Sequence, residues 1–398
     1  MGKTTEEDSK NIINGEADSK VDSKAKTIIK SVLFVAIFLF LLRTVSYVVR
    51  TNGSVKDRFS GFYAEPKNTI DAVIIGSSPV APYYCTPKMF NDYGQVVYPL
   101  SSNAQRPCAA MGLTKEVYKR QSPQLMIYEV RMYLSDDQNL TNNMSYTRGV
   151  TDNLKYSPNR ISVINKMVKG NTNENNNEPL DSYYFDIMKY HSNWGMLFIP
   201  YEWRNWNYTA YDRYKGYEFK DTVGPCEYTD ESEVTGTADI PSEQKENLDN
   251  LISYLKEQNQ DALFIVSPYL EDEDAKKKYN YVEQIVTKAG YRFLDLNDHV
   301  SEMGLDYNTD IADYGTHVNS TGAEKCTDYL GKYLDENYSL PDHRNDSKYS
   351  RWKTSYEDWM QTMNTEKQTI ASKIEKKDYF VRNDEQVVQK RQTTIMAE

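Results

Sequence analysis

The sequence is poor in the residues that build metal sites and disulfide scaffolds. Four cysteines, Cys85, Cys108, Cys226 and Cys326, are scattered through 398 residues. With no CxxC pair and no neighbouring histidine, they exclude a zinc cluster and a disulfide framework. A single bridge from Cys85 to Cys108 stays open, beside the alternative that both are small buried hydrophobes. Histidine is equally scarce, at four residues. Base falls short of acid, 47 against 58, for a formal net charge of -11, and no basic stripe with interleaved aromatics occurs. Nucleic acid is therefore not an expected partner, and no motif implies a metal or an organic cofactor. Tyrosine is abundant, at 33 residues, and with the many asparagines it makes wet, aromatic surfaces of the kind that meet carbohydrate.

Long apolar runs are also rare, and the chain has one. Ser31 to Val49 holds the uninterrupted stretch VLFVAIFLFLL from Val32 to Leu42. At ~1.5 Å per residue it nearly spans a hydrocarbon slab. Arg43 lies near one end, where its stem can snorkel to the interface. Lys20, Lys24, Lys26 and Lys30 precede the run and favour a cytoplasmic N-terminus. The long polar lead and the lack of a small-x-small pattern after the run argue for an uncleaved anchor over a signal peptide or a buried core helix. The expected layout is a disordered cytoplasmic tail over 1–30, a transmembrane helix over 31–49 and a linker over 50–68, with everything after about Arg50 extracellular.

Beyond Asn68 the chain alternates strand and helix patterns. Buried strands are predicted within Asp71–Ile75, Gln95–Leu100, Gln124–Val130, Asp261–Tyr269 and Tyr291–Leu296. Helices are predicted from about Pro79 to Tyr93 and over Ala109–Arg120, Glu243–Gln258 and Asp272–Ala289. That rhythm argues for a parallel, doubly wound α/β sheet. Its domain is expected over 69–340, with an insertion at about 134–241 containing Asn-rich surface loops such as GNTNENNNEP. The aromatic stretch Tyr183–Tyr214, with Trp194, Trp203 and Trp206, is either a lid or substrate wall or the packing of this insertion on the sheet. Residues 341–398 form a polar extension with a helix predicted over Thr354–Lys373, which packs on the domain or reaches a partner.

Two stretches carry chemistry. In DAVIIGSSPV, Asp71–Val80, a strand ends at Gly76 and a helix starts at Pro79, with Ser78 as its expected N-cap. Such a turn sets a hydroxyl at the carboxyl end of a sheet strand, where open α/β sheets bind ligands. A serine nucleophile needs a base. His191 lies in the insertion, His299 begins a surface helix and His343 follows the domain, which leaves His317. Asp313 precedes it by four residues on a loop, and a carboxylate so placed can hold an imidazole's tautomer. Asn319 or Ser320 is expected to cap the next helix, or Thr321 with Glu324 as a capping box.

GSS after the first strand, with Asp...His-x-Asn-x-x-Gly before the last helix, resembles the SGNH (GDSL-like) hydrolase superfamily. With the N-terminal anchor, the chain is similar to membrane-anchored relatives that serve teichoic-acid D-alanylation and bacterial polysaccharide O-acetylation. The resemblance implies a three-layer α/β/α, flavodoxin-like fold with a mainly parallel sheet. It implies Ser78 as nucleophile, His317 as base and Asp313 as its orienting acid. An oxyanion hole would come from Ser78 and from the loop Ser101, Ser102, Asn103 and Gln105. The spacing Asp-x-x-x-His is one residue longer than the family's Asp-x-x-His, so either a looser loop restores the contact or Asp310 substitutes. No GxND follows the third strand, which reads Glu129-Val130-Arg131. The implied activity is a serine esterase or O-acyltransferase acting on acyl esters of a cell-surface glycan or polymer, beside a multi-spanning membrane acyl exporter. The alternative is a catalytically inactive scaffold or polymer-binding component of an envelope complex.

Overall fold

Five short runs of apolar residues form one all-parallel sheet in the order β2-β1-β3-β4-β5. The computed structural model describes residues 6–50, 53–141, 143–168 and 178–381. The strands are β1 (Ala72–Gly76), β2 (Val97–Ser101), β3 (Leu125–Glu129), β4 (Asp261–Val266) and β5 (Arg292–Asp295). Every residue of the first three is buried, as a parallel sheet covered on both faces requires. One face presents Ala72, Ile74, Val97, Leu125, Ile127, Leu263, Ile265 and Leu294 to a continuous core. The alternate residues, among them Val73, Ile75, Tyr98 and Tyr128, are buried on the other side. The result is a layered α/β fold with the flavodoxin-like strand order. In such a sheet the direction of winding reverses at β1 and β3, and the crevice beyond their carboxyl ends is the usual ligand site.

The main helices are α1 (Glu6–Val49), α2 (Gly53–Ala64), α3 (Val80–Tyr83), α4 (Thr86–Tyr93), α5 (Ala110–Tyr118), α6 (Ser242–Glu257), α7 (Glu273–Lys288), α8 (Ser320–Asn337) and α9 (Ser350–Lys376). Chain contacts gather the residues into two units, one of α1 with Asp186–Asn207, the other of the remaining chain. In the first, α1 is long and apolar enough to cross a membrane over Lys24–Val49, with a mean hydropathy of 2.4.

Several expectations change. The helix starts at Glu6, so the polar stretch expected as a tail is largely helical backbone; residues 1–5 lie outside the described residues, as do 169–177 of the Asn-rich loop and 382–398 of the extension. Residues 50–68 are not merely a linker: Val55, Phe59, Phe62 and Tyr63 recur at helical spacing and are buried in α2. The helix after β1 breaks at Tyr84-Cys85, because Pro87 can occupy only a first turn and α4 must restart there. In the extension, α9 packs Trp352, Trp359, Met363 and Ile370 into the second unit. All four cysteines are free thiols, so the Cys85–Cys108 bridge is not formed. Burial pushes the Cys85 thiol up to about 12, and both behave as the small buried hydrophobes of the alternative reading.

Candidate active site

The site begins where β1 ends. A side chain at Gly76 would place its Cβ 2.4 Å from the Cβ of Glu129 and 2.8 Å from Val80, so only glycine lets the end of β1 lie this close to the end of β3. Ser77 then turns inward, its N–H and its hydroxyl both donating to Glu129 Oε2, at 3.1 and 2.8 Å. Glu129 Oε1 accepts the Arg131 N–H at 3.0 Å. Burial raises the Glu129 pKa, opposed by these donors. Ser78 is left half-buried at the tip of the turn. It does not cap the helix: Pro79 takes the cap position without a side-chain bond, and α3 starts at Val80. The expected capping role fails because the Ser78 hydroxyl is engaged elsewhere.

Its partner is His317. Ser78 Oγ lies 2.8 Å from His317 Nε2, and His317 Nδ1 lies 2.7 Å from Asp313 Oδ2. A carboxylate only accepts, so Nδ1 carries the ring proton and Nε2 presents a lone pair to the serine. The second Asp313 oxygen accepts the backbone N–H of His317 at 2.6 Å, which fixes main chain and ring together. Sequence spacing alone left the Asp–His geometry open; a hairpin closes it. Ile311 and Val318 form an antiparallel bridge, and the Ala312 N–H donates to the His317 carbonyl at 2.8 Å. Tyr314 and Gly315, with φ of 56° and 88°, are consecutive left-handed residues, the conformation of tight hairpin turns. They absorb the extra residue of Asp-x-x-x-His and bring Asp313 back over His317. Asp310 is not the substitute: it is buried and bonded to the Asp306 N–H and to Lys325. Asn319 caps α8, accepting from the N–H groups of Thr321 and Gly322.

The hairpin is held from several sides. Arg131, just past β3, donates to the Thr316 carbonyl at 2.8 Å and lies over the Tyr269 ring at 3.9 Å. Tyr83 donates to the Pro268 carbonyl at 2.7 Å and stands edge-on to the His317 ring, 6.5 Å between centroids. Burial holds the Tyr83 hydroxyl well above its ordinary pKa, so it remains a neutral donor. Gly224 runs beside the turn, its N–H donating to the Ile311 carbonyl at 2.8 Å and its carbonyl accepting from the Tyr314 N–H at 2.9 Å. A Cβ there would meet Tyr314 N at 2.7 Å. None of Arg131, Tyr83 and Gly224 was singled out from the sequence for such a role. The only signal was a pair of charges, Glu129 and Arg131, ending a strand too apolar to be half-exposed.

The candidate oxyanion loop divides. Gly76 pairs with Ser101 in the parallel register, so Ser102 and Asn103 follow β2 at the level where Ser77 and Ser78 follow β1. Ser101 is buried, with its carbonyl accepting from Arg58 of α2 at 2.9 Å. Ser102 and Gln105 are buried on each other, 3.4 Å between Oγ and Nε2. These three side chains face the interior. Asn103 is exposed, and the left-handed Ala104 that follows, with φ of 40°, turns the loop sharply. Among the described residues the Ser78 and Asn103 N–H groups have no acceptor, and neither do those of Ser102, Ala104 and Gln105, so the two turns together offer several free backbone donors.

The remaining histidines are engaged elsewhere. His343 Nε2 lies 3.0 Å from Asp71 Oδ1 and stacks on Tyr349; His299 bonds Glu302; His191 is exposed and bonds the Met188 carbonyl. Trp194, Trp203 and Trp206 belong to the unit built on α1. Glu271, Asp295 and Asp298 carry oxygens within 4.8 Å of one another, but Lys276 Nζ already sits among them, 2.9 Å from Asp295. What the Ser78 site can do follows from its own geometry, for no protein-family model and no curated protein matches this chain.

Proposed function

We propose that the chain is a membrane-tethered serine esterase or O-acyltransferase of the SGNH type, acting on acyl esters of a cell-envelope glycan or polymer. The observation that supports it most is the relay of Ser78 Oγ, His317 Nε2 and Nδ1, and Asp313 Oδ2, at 2.8 and 2.7 Å. Those distances are hydrogen-bond contacts along which a proton can pass.

In this reading Ser78 Oγ attacks the ester carbonyl while His317 Nε2 takes the hydroxyl proton. Asp313 steadies the imidazolium, and the oxyanion gathers donors from the Ser78 N–H and the Asn103 loop. The intermediate collapses, His317 returns the proton to the departing alcohol, and an acyl-Ser78 ester remains. Water or a sugar hydroxyl, deprotonated by the same His317, then collects the acyl group and frees Ser78. The lysines before the apolar helix favour an extracytoplasmic site, which is where envelope polymers lie. A transferase of this kind would receive its acyl groups from a multi-spanning membrane exporter.

A fluorophosphonate probe on the full chain in detergent tests the reading. We expect covalent labelling that Ser78→Ala abolishes, that His317→Ala slows by roughly 10²-fold or more, and that Asp313→Asn slows by about as much. A chain that binds the polymer and never labels is instead the inactive scaffold of the same assembly.

A further inference from the structure

The first unit has a surface that the proposed chemistry does not use. Along α1 the apolar side chains from Ile28 to Leu41 are exposed, while Thr44 and Ser46 to Val49 are buried. What packs against that end of the helix, within the unit, is Asp186–Asn207. Asn193 Nδ2 donates to the Val49 carbonyl at 3.2 Å, Asp186 pairs with Arg50 at 3.5 Å, and the Trp206 ring meets Phe40 edge-on at 5.7 Å. The collar's exposed side is rich in apolar side chains, with Lys189, His191, Ser192, Arg204 and Asn207 exposed among them. Met188, Trp194, Phe198, Ile199, Tyr201 and Trp203 are all exposed, Phe198 at 86%.

Length decides what meets those side chains. The exposed run Ile28–Leu41 rises only about 20 Å at ~1.5 Å per residue, against a hydrocarbon core of roughly 30 Å. The balance lies at the level of Leu42 to Tyr47, where the helix is sheathed and the collar supplies the outer surface. Phe40 lies within the exposed run, so its contact with Trp206 sets part of the collar at that depth. Tryptophan, tyrosine and their apolar neighbours are the residues found at the boundary between acyl chains and headgroups. The Trp203 indole N–H already donates to the Leu197 carbonyl at 2.9 Å, which removes the main cost of seating that ring in an apolar layer.

We propose that Asp186–Asn207 is a lipid-binding collar: a second, non-spanning membrane contact that completes the apolar length of α1 by seating its aromatic side chains in the leaflet around the helix end. This rests on α1 crossing the membrane. The partner is the bilayer itself, at its acyl-headgroup boundary.

The test uses the intact chain reconstituted in phosphatidylcholine vesicles, comparing lipids brominated near the headgroup, brominated near the acyl terminus, and unbrominated. Three of the five tryptophans belong to the collar, and the other two, Trp352 and Trp359, are buried in the second unit. We expect bromines near the headgroup to remove roughly a third or more of the emission, because interfacial tryptophans lie at that depth, and bromines near the acyl terminus to remove less. The double variant Trp194→Phe, Trp203→Phe should lose most of this quenching while still floating with the vesicles. Wild-type protein that floats and is not quenched overturns the collar and leaves the anchor standing. Protein that fails to float with vesicles overturns α1 as a spanning helix, and the collar with it.

Discussion

Ser77 and Ser78 adjoin in sequence and do opposite things. Ser77 is spent on structure, both of its donors given to one oxygen of Glu129; Ser78 is left to His317. Glu129→Ala would leave the buried Ser77 donors unpaired, at a cost of about 1–3 kcal/mol, and would loosen the turn that aims Ser78. Glu129→Gln keeps a carbonyl acceptor. Fluorophosphonate labelling should therefore fall at least about tenfold in the alanine variant and less in the glutamine variant, a misplacement effect. Equal rates in wild type and Glu129→Ala would mean that Glu129 does not brace Ser78. The three relay residues were legible in the sequence because each is a reactive side chain on a turn beside a strongly patterned element. Arg131 and Tyr83 were not, since Arg131 reaches a backbone carbonyl 185 residues away and no local spacing encodes such a contact.

Among the elements, the strands were legible to within about three residues, the largest difference being β4, expected to reach Tyr269 and ending at Val266, because a parallel sheet buried on both faces writes itself as short apolar runs. What escaped was α2. Its apolar stripe is interrupted by Lys56, Asp57 and Arg58, and the guanidinium of Arg58 is buried to bond the Gly216 and Ser101 carbonyls, a tertiary use of charge that a linear pattern reads as surface. The hairpin carrying Asp313 and His317 is the element on which the site depends most. Gly315 combines a φ of 88° with a virtual Cβ 2.6 Å from the Cβ of Leu270. Gly315→Ala should cost about 1–3 kcal/mol through left-handed backbone and crowding together, and should slow labelling out of proportion to its effect on melting. A variant that melts lower but labels at the wild-type rate would show that the hairpin is not what sets the Asp313–His317 geometry.

Across the whole molecule, stability should depend on pH through a group far along the chain from Ser78. Burial and the nearby Asp295 push the Glu271 carboxyl up to about 9 from an ordinary 4.5. Between those values the folded state holds a proton that the unfolded chain has released, so stability is highest on the acid side of this window and declines as pH rises toward 9. Glu271→Gln cannot titrate. Its melting temperature relative to wild type should rise by at least about 3 °C from pH 5.5 to 8.5, and a constant difference would contradict the assignment. The separation of Ser78 from His317, 239 residues along the chain, has a consequence in time. A ribosome that has finished the turn after β1 must still add more than half of the protein before the His317 imidazole can reach that serine. Closing so long a loop is also among the costlier steps of folding. A nascent or prematurely ended chain therefore carries Ser78 without its histidine partner, and under the proposed function it should label with the fluorophosphonate probe only once β5 and the hairpin beyond it are in place.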